Sequence, residues 1–287
     1  MHRYNRVLIT LFSAAFIGGG ALFAFGNTDL FSSTESAFSN DQTRYAEIAA
    51  VAEQTPTTTA SSTEKLKLPI LVYHIVRPSD STDSQAVRDL AHTPEIFDAE
   101  MKHLSDAGYT IVSFNDLENY YRSAALLPKK PIIISFDDGW SDQYQYAFPI
   151  LKKYTYPATF FVFTNPIGTR GFMTWDELRE MQKAGMHIES HSRSHPYLIR
   201  ITDPAKLWNE INGSKERLEK ELGVPVTEFA YPFGQYTPDI VALVKKAGYQ
   251  SARGDHYFRG EQTVNRLFDL DALNAPTTLT LFKQKFP

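Results

Sequence analysis

The sequence contains no cysteine. This absence excludes disulfide bonds, thiolate metal ligands and a cysteine nucleophile, so any bound metal would need histidine and carboxylate ligands. An excess of basic residues is also missing, because 29 Lys and Arg residues stand against 33 Asp and Glu residues and the net charge is -4. Proteins that bind nucleic acid usually carry a basic surface, so this composition argues against nucleic acid and favours a neutral or cationic substrate.

Internal repeats are absent as well, and 287 residues suffice for one large domain with a buried core. Hydrophobic residues make up 43% of the chain and aromatic residues 13%. A chain of this composition cannot be disordered throughout, because it can bury enough apolar surface to offset the entropy of folding.

The N-terminal region contains a long uncharged stretch, Val7–Gly26, which follows Arg3 and Arg6. A bilayer is spanned by about 20 apolar residues, while small residues near the end of such a run suit cleavage by signal peptidase. Residues 1–26 are therefore predicted to be a signal-anchor or a signal peptide. Either alternative exports the protein, which would be anchored in the membrane and face outside the cytoplasm, or be secreted after cleavage.

Two further regions follow this targeting segment. Residues 27–66 are rich in Ser and Thr and are predicted to form a linker, because they cannot bury much apolar surface. Residues 67–287 are predicted to form the folded domain. Within it, strand-like and helix-like segments alternate, and Ile132, Ile133 and Ile134 form a continuous apolar strand, which is typical of a parallel sheet covered on both faces.

Helix signals recur between these strands, as at Thr93 and Pro94, which suit an N-cap and a first helical position. Further helices are predicted near 142–154, at 204–222 and at 238–247. Seven or eight β/α units emerge in total. We therefore predict an α/β fold, a distorted or incomplete (β/α) barrel of seven to eight parallel strands, with its active site at the carboxyl ends of the strands.

Two motifs fall at predicted strand ends, SFDDG at residues 135–139 and HSRSH at residues 191–195. Asp137-Asp138-Gly139 could be an ordinary turn, and His191 and His195 could be unrelated surface histidines. Adjacent carboxylates at the mouth of a parallel sheet repel each other, however, unless a cation lies beside them. The HExxH motif of helical zinc proteases does not fit, since no Glu lies between the two histidines.

Taken together, the motifs resemble those of the polysaccharide deacetylase family, also described as the NodB homology domain or carbohydrate esterase family 4. SFDDG is similar to the first motif of that family, HSRSH to the second, and YPFG at residues 231–234 to the third. The resemblance covers about residues 69–266 and implies a NodB-like barrel. It also implies a metal-dependent hydrolase that acts on acetylated polysaccharide.

The resemblance implies roles for individual residues. Asp138, His191 and His195 would hold the metal, and Asp137 would accept the proton of the attacking water. The backbone N–H of Phe233 would stabilise the oxyanion. The remaining residues implied to line the substrate groove are Tyr231, Pro232 and Gly234.

The sequence departs from the family pattern in two places. No His lies near the carboxyl terminus, where many members carry the general acid. Tyr73-His74 on the first strand resembles instead the branch that acts on poly-N-acetylglucosamine, so His74 is predicted to be the acid, although a core-facing histidine is the alternative. Ala230 stands where many relatives have an Arg that orients the catalytic Asp. Arg253 is the candidate replacement, and Asp255 is a candidate to orient His74.

The predicted function is removal of N-acetyl groups from amino sugars of a cell-envelope or extracellular polysaccharide, with peptidoglycan, poly-N-acetylglucosamine and chitin-like polymers all open. One carboxylate and two imidazoles suit Zn²⁺, and Co²⁺, Ni²⁺ or Mn²⁺ could replace it. Two alternatives remain: an esterase for O-acetyl groups of polysaccharides, and a non-catalytic carbohydrate-binding domain on a membrane stalk.

Overall fold

The computed structural model describes residues 65–123, 125–254 and 261–287. The predicted targeting segment, most of the predicted linker and Asp255 lie outside these residues. Across the described part of the chain, no helix combines the length and the apolar character needed to cross a bilayer.

The described residues form ten strands and eight α-helices in a largely alternating order. The strands are β1 Ile70–Tyr73, β2 Ile75–Val76, β3 Ala91–His92, β4 Thr110–Ile111, β5 Pro131–Asp138, β6 Thr159–Val162, β7 His187–Ser190, β8 Glu228–Ala230, β9 Ser251–Arg253 and β10 Leu273–Asn274. The helices are α1 Gln85–Arg88, α2 Pro94–Asp106, α3 Phe114–Ser123, α4 Phe148–Tyr154, α5 Trp175–Lys183, α6 Pro204–Leu222, α7 Pro238–Lys246 and α8 Leu279–Lys285.

The main sheet is parallel throughout and has the order β10-β1-β5-β6-β7-β8-β9, with β4 paired to the start of β5. Neighbouring strands mostly follow one another along the chain, as in a (β/α) barrel. The predicted distorted barrel of seven to eight parallel strands is thus confirmed. A separate short pair, β2 with β3, carries the chain away from the end of β1.

The side chains of strand β5 show that the sheet is covered on both faces. Ile132 and Ile134 belong to a large apolar cluster that includes side chains of helices α2, α4, α5, α6 and α7. Ile133 belongs to a second cluster with Phe161 and side chains of α3. Because successive side chains of a strand point to opposite faces, a continuous apolar run is needed where both faces are buried.

Several helix ends lie where the sequence predicts them. The Thr93 side chain accepts a hydrogen bond from the Ile96 N–H, with Pro94 as the first helical residue of α2. Asp203 caps α6 in the same way, and Gly223 ends α6 with a φ of 72°. These caps satisfy N–H groups that have no partner inside the helix, so they position the helices by local chemistry alone.

The region predicted as one helix near 142–154 differs from the prediction. It begins with a π-helical segment, Gln143–Ala147, and continues as α4. The buried Gln143 amide donates to the carbonyl oxygens of His74 at 2.7 Å and Asp137 at 2.5 Å. The π-helical turn therefore lies where the Gln143 side chain connects the ends of β1 and β5. Helix periodicity in the sequence does not reveal such a contact between distant segments.

The sheet also contains buried carboxyl groups outside the two motifs. Glu189 accepts hydrogen bonds from the backbone N–H groups of Thr227 and Glu228, both at 2.8 Å. Burial, and then the charge of Glu228, raises the pKa of Glu118 to about 7 and the pKa of Glu189 well above its ordinary value. Both groups therefore stay protonated in the folded protein at a pH where they ionise in the unfolded chain.

This difference predicts a pH dependence of stability. A folded-state pKa above the unfolded value means that the free energy of unfolding falls as pH rises from about 4.5 through about 7. Between pH 5 and pH 8, the free energy of unfolding should fall by about 2 kcal/mol less in Glu118→Gln than in the unaltered protein. Urea unfolding at both pH values measures it, with the exposed Glu216→Gln as control. Equal pH slopes for Glu118→Gln and the unaltered protein would contradict the prediction.

Candidate active site

The carboxyl end of β5 carries the two aspartates of the first motif. Asp138 has a φ of 78° and Gly139 a φ of 84°, so the chain turns sharply as it leaves the sheet. Gly139 suits this turn for a second reason, because a Cβ at this position would meet Val162 Cγ1 at 3.0 Å. The turn places the Asp137 and Asp138 carboxylates in one cavity, although they are neighbours in a strand.

The loop after β7 brings the two histidines of the second motif together. Ser192 and His195 have φ values of 70° and 54°, and the Ser192 hydroxyl accepts a hydrogen bond from the His195 N–H. These left-handed residues reverse the chain within five positions. As a result His191 Nε2 and His195 Nε2 lie 3.0 Å apart.

A glutamate from α6 holds this loop in place through hydrogen bonds. Glu210 accepts hydrogen bonds from the backbone N–H groups of Arg193 at 3.0 Å and Ser194 at 2.9 Å, and from the Ser194 hydroxyl at 2.6 Å. Three donors on one buried carboxylate fix the strained backbone between the histidines. Sequence reasoning missed Glu210, because nothing in the local pattern of α6 distinguishes it from a surface residue.

Asp138, His191 and His195 offer three ligand atoms that lie within 4.8 Å of one another. Asp138 Oδ1 is 3.9 Å from His191 Nε2 and 3.6 Å from His195 Nε2. The His191 Nδ1–H lies 2.8 Å from the Ala230 carbonyl oxygen, an arrangement that leaves Nε2 free to bind a cation. The structure therefore brings the three predicted ligands together.

The protonation state of His195 suits metal binding. Burial, together with the neighbouring His191, lowers the pKa of His195 to about 4. A histidine must be neutral to act as a ligand, and a low pKa keeps it neutral at ordinary pH. The site is therefore prepared for a cation without the cost of removing a proton from His195.

Asp137 lies beside this cluster and is 4% exposed. Its Oδ1 accepts a hydrogen bond from the Arg253 guanidinium, and its Oδ2 lies 3.9 Å from His191 Nε2 and 4.0 Å from His74 Nε2. Burial raises the pKa of Asp137, but the charge of Arg253, followed by electrostatic interactions with His191 and His74, outweighs it and holds the pKa below its ordinary value. Asp137 is therefore an ionised carboxylate at neutral pH.

The neighbouring strand explains how Arg253 reaches Asp137. Ala230 in β8 pairs with Arg253 in β9, and paired residues of adjacent strands point to the same face of a sheet. The small Ala230 side chain leaves room for the long Arg253 side chain, whose guanidinium also lies 4.6 Å from the centre of the Phe161 ring. The cationic partner of Asp137 thus comes from β9, whereas the family resemblance places an Arg at position 230.

The cavity at this site has a volume of about 250 Å³. Its lining residues are His74, Leu90, Asp137, Asp138, His191, His195, Tyr231, Phe233, Gly234 and Asn274. The predicted Pro232 is buried in the short 3₁₀ turn between Tyr231 and Gly234. His74 lines the cavity from the end of β1. Leu90 and Asn274 also line it but were not predicted, because they belong to short segments without a sequence motif.

Several of these residues have unusual backbone geometry or close ring contacts. Phe233 has a φ of 57°, is 41% exposed, and stacks on Tyr197 with ring centres 3.8 Å apart. The His195 ring centre lies 4.5 Å from that of Phe233. Strained backbone that persists at a cavity is typical of a functional site, because the surrounding contacts must hold it in place.

Known proteins resemble this chain in sequence and in structure. The sequence profile of the family described as polysaccharide deacetylase matches residues 125–252, a range that contains all three motifs. YxkH of Bacillus subtilis (strain 168), whose name describes it as a polysaccharide deacetylase, is 34% identical over 189 residues. These residues are 66% of this chain and 64% of YxkH. Over these residues the chain is similar to the polysaccharide deacetylase family.

Two further relatives show the same similarity. The poly-beta-1,6-N-acetyl-D-glucosamine N-deacetylase of Staphylococcus aureus (strain MSSA476) is 28% identical over 199 residues, which are 62% of this chain and 68% of that protein. The deacetylase PplD of Streptococcus pyogenes, solved in complex with acetate, superposes with a TM-score of 0.71 at 26% identity, covering 78% of this chain and 100% of that chain. The family resemblance inferred from the three motifs is therefore confirmed, and the family is one of enzymes that act on acetylated polysaccharide.

Proposed function

We propose that this protein is a metal-dependent hydrolase that removes N-acetyl groups from amino sugars of a cell-envelope or extracellular polysaccharide. The observation that carries the proposal is the convergence of Asp138, His191 and His195 beside the buried, ionised Asp137. A carbohydrate-binding domain would have no use for a carboxylate that is held ionised next to a set of metal ligands.

The donor set fits a divalent cation. One carboxylate oxygen and two neutral imidazole nitrogens leave coordination positions for water and substrate, which is the pattern of catalytic rather than structural zinc sites. Zn²⁺ suits these ligands best, and Co²⁺, Ni²⁺ or Mn²⁺ could replace it. When bound, such a cation would polarise an acetyl carbonyl and make water more acidic.

The residues of the chain would then divide the remaining work. Asp137 would accept the proton of the attacking water, since it is ionised and lies beside the ligand cluster. The backbone N–H of Phe233 would stabilise the oxyanion, as the family resemblance implies. His74, whose Nε2 lies 4.0 Å from Asp137 Oδ2, would deliver a proton to the leaving amine.

Replacing His74 by Ala tests the assignment of the acid. The expected result is a fall in kcat of about 10²-fold or more, because the amine would leave without a positioned proton donor. Steady-state kinetics on an N-acetylated glycan measure it. His187→Ala is the control, since His187 begins β7 at the end opposite to the site. Turnover by His74→Ala within twofold of the unaltered protein would place the acid elsewhere.

The function itself is tested by acetate release from a panel of glycans. The panel contains peptidoglycan, poly-N-acetylglucosamine, chitin oligomers and O-acetylated xylan, each assayed with chelator and with added Zn²⁺. We expect release from an N-acetylated polymer that chelator abolishes and Zn²⁺ restores, and His191→Ala should lose both bound metal and activity. Release from O-acetylated xylan alone would identify an esterase. Zinc binding without acetate release from any glycan would identify a binding domain.

A further inference from the structure

Trp140 follows directly after the first motif, and its indole N–H points back at that motif. The Nε1–H donates a hydrogen bond to Asp138 Oδ2 at 2.9 Å. The other oxygen, Oδ1, is the one that lies 3.9 Å from His191 Nε2 and 3.6 Å from His195 Nε2. The hydrogen bond therefore occupies one oxygen of the carboxylate and leaves the other for a cation.

The donor is suited to this task because it carries no charge. An Arg or Lys in the same place would also orient the carboxylate, but its positive charge would oppose a bound cation. An indole N–H orients Asp138 and leaves its full negative charge available to the metal.

Independent contacts hold the indole ring in place. Trp140 forms an isolated antiparallel bridge with Phe172, and their rings stack with centres 4.5 Å apart. The Phe172 ring meets Phe163 edge to face at 5.3 Å, and the Phe163 ring centre lies 5.3 Å from that of His195. A row of aromatic rings thus joins the residue that orients one predicted ligand to another predicted ligand.

Asp138 needs such support because its own backbone is unfavourable. With a φ of 78°, it has a positive φ, which non-glycine residues adopt only rarely. Because the turn itself is strained, external contacts have to keep the side chain facing the histidines.

We propose that Trp140 is a positioning residue that presents Asp138 to the metal through a single oxygen. The proposal rests on the metal site of the proposed function. It separates two roles of the side chain: the ring packs on Phe172, and the N–H orients Asp138. Trp140→Phe removes the second role and keeps an aromatic ring for the first.

The test is Zn²⁺ binding to the metal-free, full-length protein in mild detergent, measured by calorimetric titration. We expect Trp140→Phe to raise the dissociation constant for Zn²⁺ by about 10- to 100-fold, as is usual when a partner of a metal ligand is lost. Trp208→Phe should leave it unchanged, because Trp208 lies on α6 with Lys246 over its ring. Far-UV circular dichroism checks that both variants are folded.

A second replacement isolates the N–H group without changing the shape of the ring. Benzothienylalanine at position 140 keeps the bicyclic ring but has sulfur in place of N–H, so a purely packing role predicts normal zinc binding. We expect the same loss of affinity as in Trp140→Phe. If Trp140→Phe does not fold, the benzothienylalanine variant alone tests whether the N–H group supports zinc binding.

The outcomes distinguish this proposal from the proposed function. Unchanged affinity in both position-140 variants, with binding lost in Asp138→Asn, would overturn the role of Trp140 and leave the metal site standing. No zinc binding by the unaltered protein would overturn the metal site, and the role of Trp140 with it.

Discussion

Replacing Asp137 by Asn is expected to lower kcat by about 10²- to 10⁴-fold while bound metal stays at the level of the unaltered protein. The amide has the shape of the carboxylate but cannot accept a proton from the attacking water. The Arg253 guanidinium, which donates to Asp137 Oδ1, can still donate to the amide oxygen, so the fold around the site should be retained.

The neighbouring aspartate provides a matched comparison. Asp138→Asn should lose metal as well as turnover, because it removes a charged ligand from the set formed with His191 and His195. Metal content by atomic absorption and turnover on an N-acetylated glycan separate the two variants. Substantial activity in Asp137→Asn would refute its role as the base, and loss of metal in that variant would show that it acts as a ligand instead.

Replacing Arg253 by Met is expected to destabilise the protein by about 3–5 kcal/mol, since it leaves a buried carboxylate without its cation. Arg253 is 1% exposed and Asp137 is 4% exposed, so the lost interaction is a buried one. The double variant Arg253→Met with Asp137→Asn should recover part of the loss, because neither charge then stays buried alone. Arg217→Met is the control, as Arg217 forms an exposed ion pair with Glu221 at 3.1 Å.

The same variant should change the pH dependence of activity. Burial raises the pKa of Asp137, and the charge of Arg253 is the largest single effect that lowers it. Without Arg253 the carboxylate would stay protonated to a higher pH, so the acid limb of kcat/KM should move towards higher pH. Urea unfolding measures the change in stability, and pH profiles measure the shift. An unaltered acid limb together with normal stability would show that Arg253 does not act on Asp137.

Much of the fold follows from local signals in the sequence. The helix predicted at 204–222 is found there, because a capping Asp precedes it and a glycine ends it. The central strand is recognisable because Ile132, Ile133 and Ile134 leave no polar face. Strands β3 and β10 were not predicted, since each has two residues and no periodicity can be read from two residues. Helix α8, with seven residues, was not predicted either.

The candidate site divides in a similar way. Asp137, Asp138, His191 and His195 were predicted because each pair stands close together in the sequence, after a strand-like run that places it at a barrel mouth. Trp140, Gln143 and Glu210 were not predicted as part of the site. Gln143 and Glu210 contact residues that lie far from them in the chain, His74 and Arg193. Trp140 contacts Asp138 through a backbone turn that the sequence pattern does not reveal.

By itself, the sequence determined the parallel sheet, the residue types of the predicted metal ligands and the absence of thiol chemistry, because these depend on residue type and short spacing. The tertiary structure alone decided that Arg253, 116 positions away from Asp137, donates to that carboxylate. It also decided which Asp138 oxygen faces the imidazoles and which one Trp140 occupies. The physical reason is that a hydrogen bond or an ion pair depends on distance and direction in space, and neighbouring strands bring together side chains whose separation along the chain carries no signal.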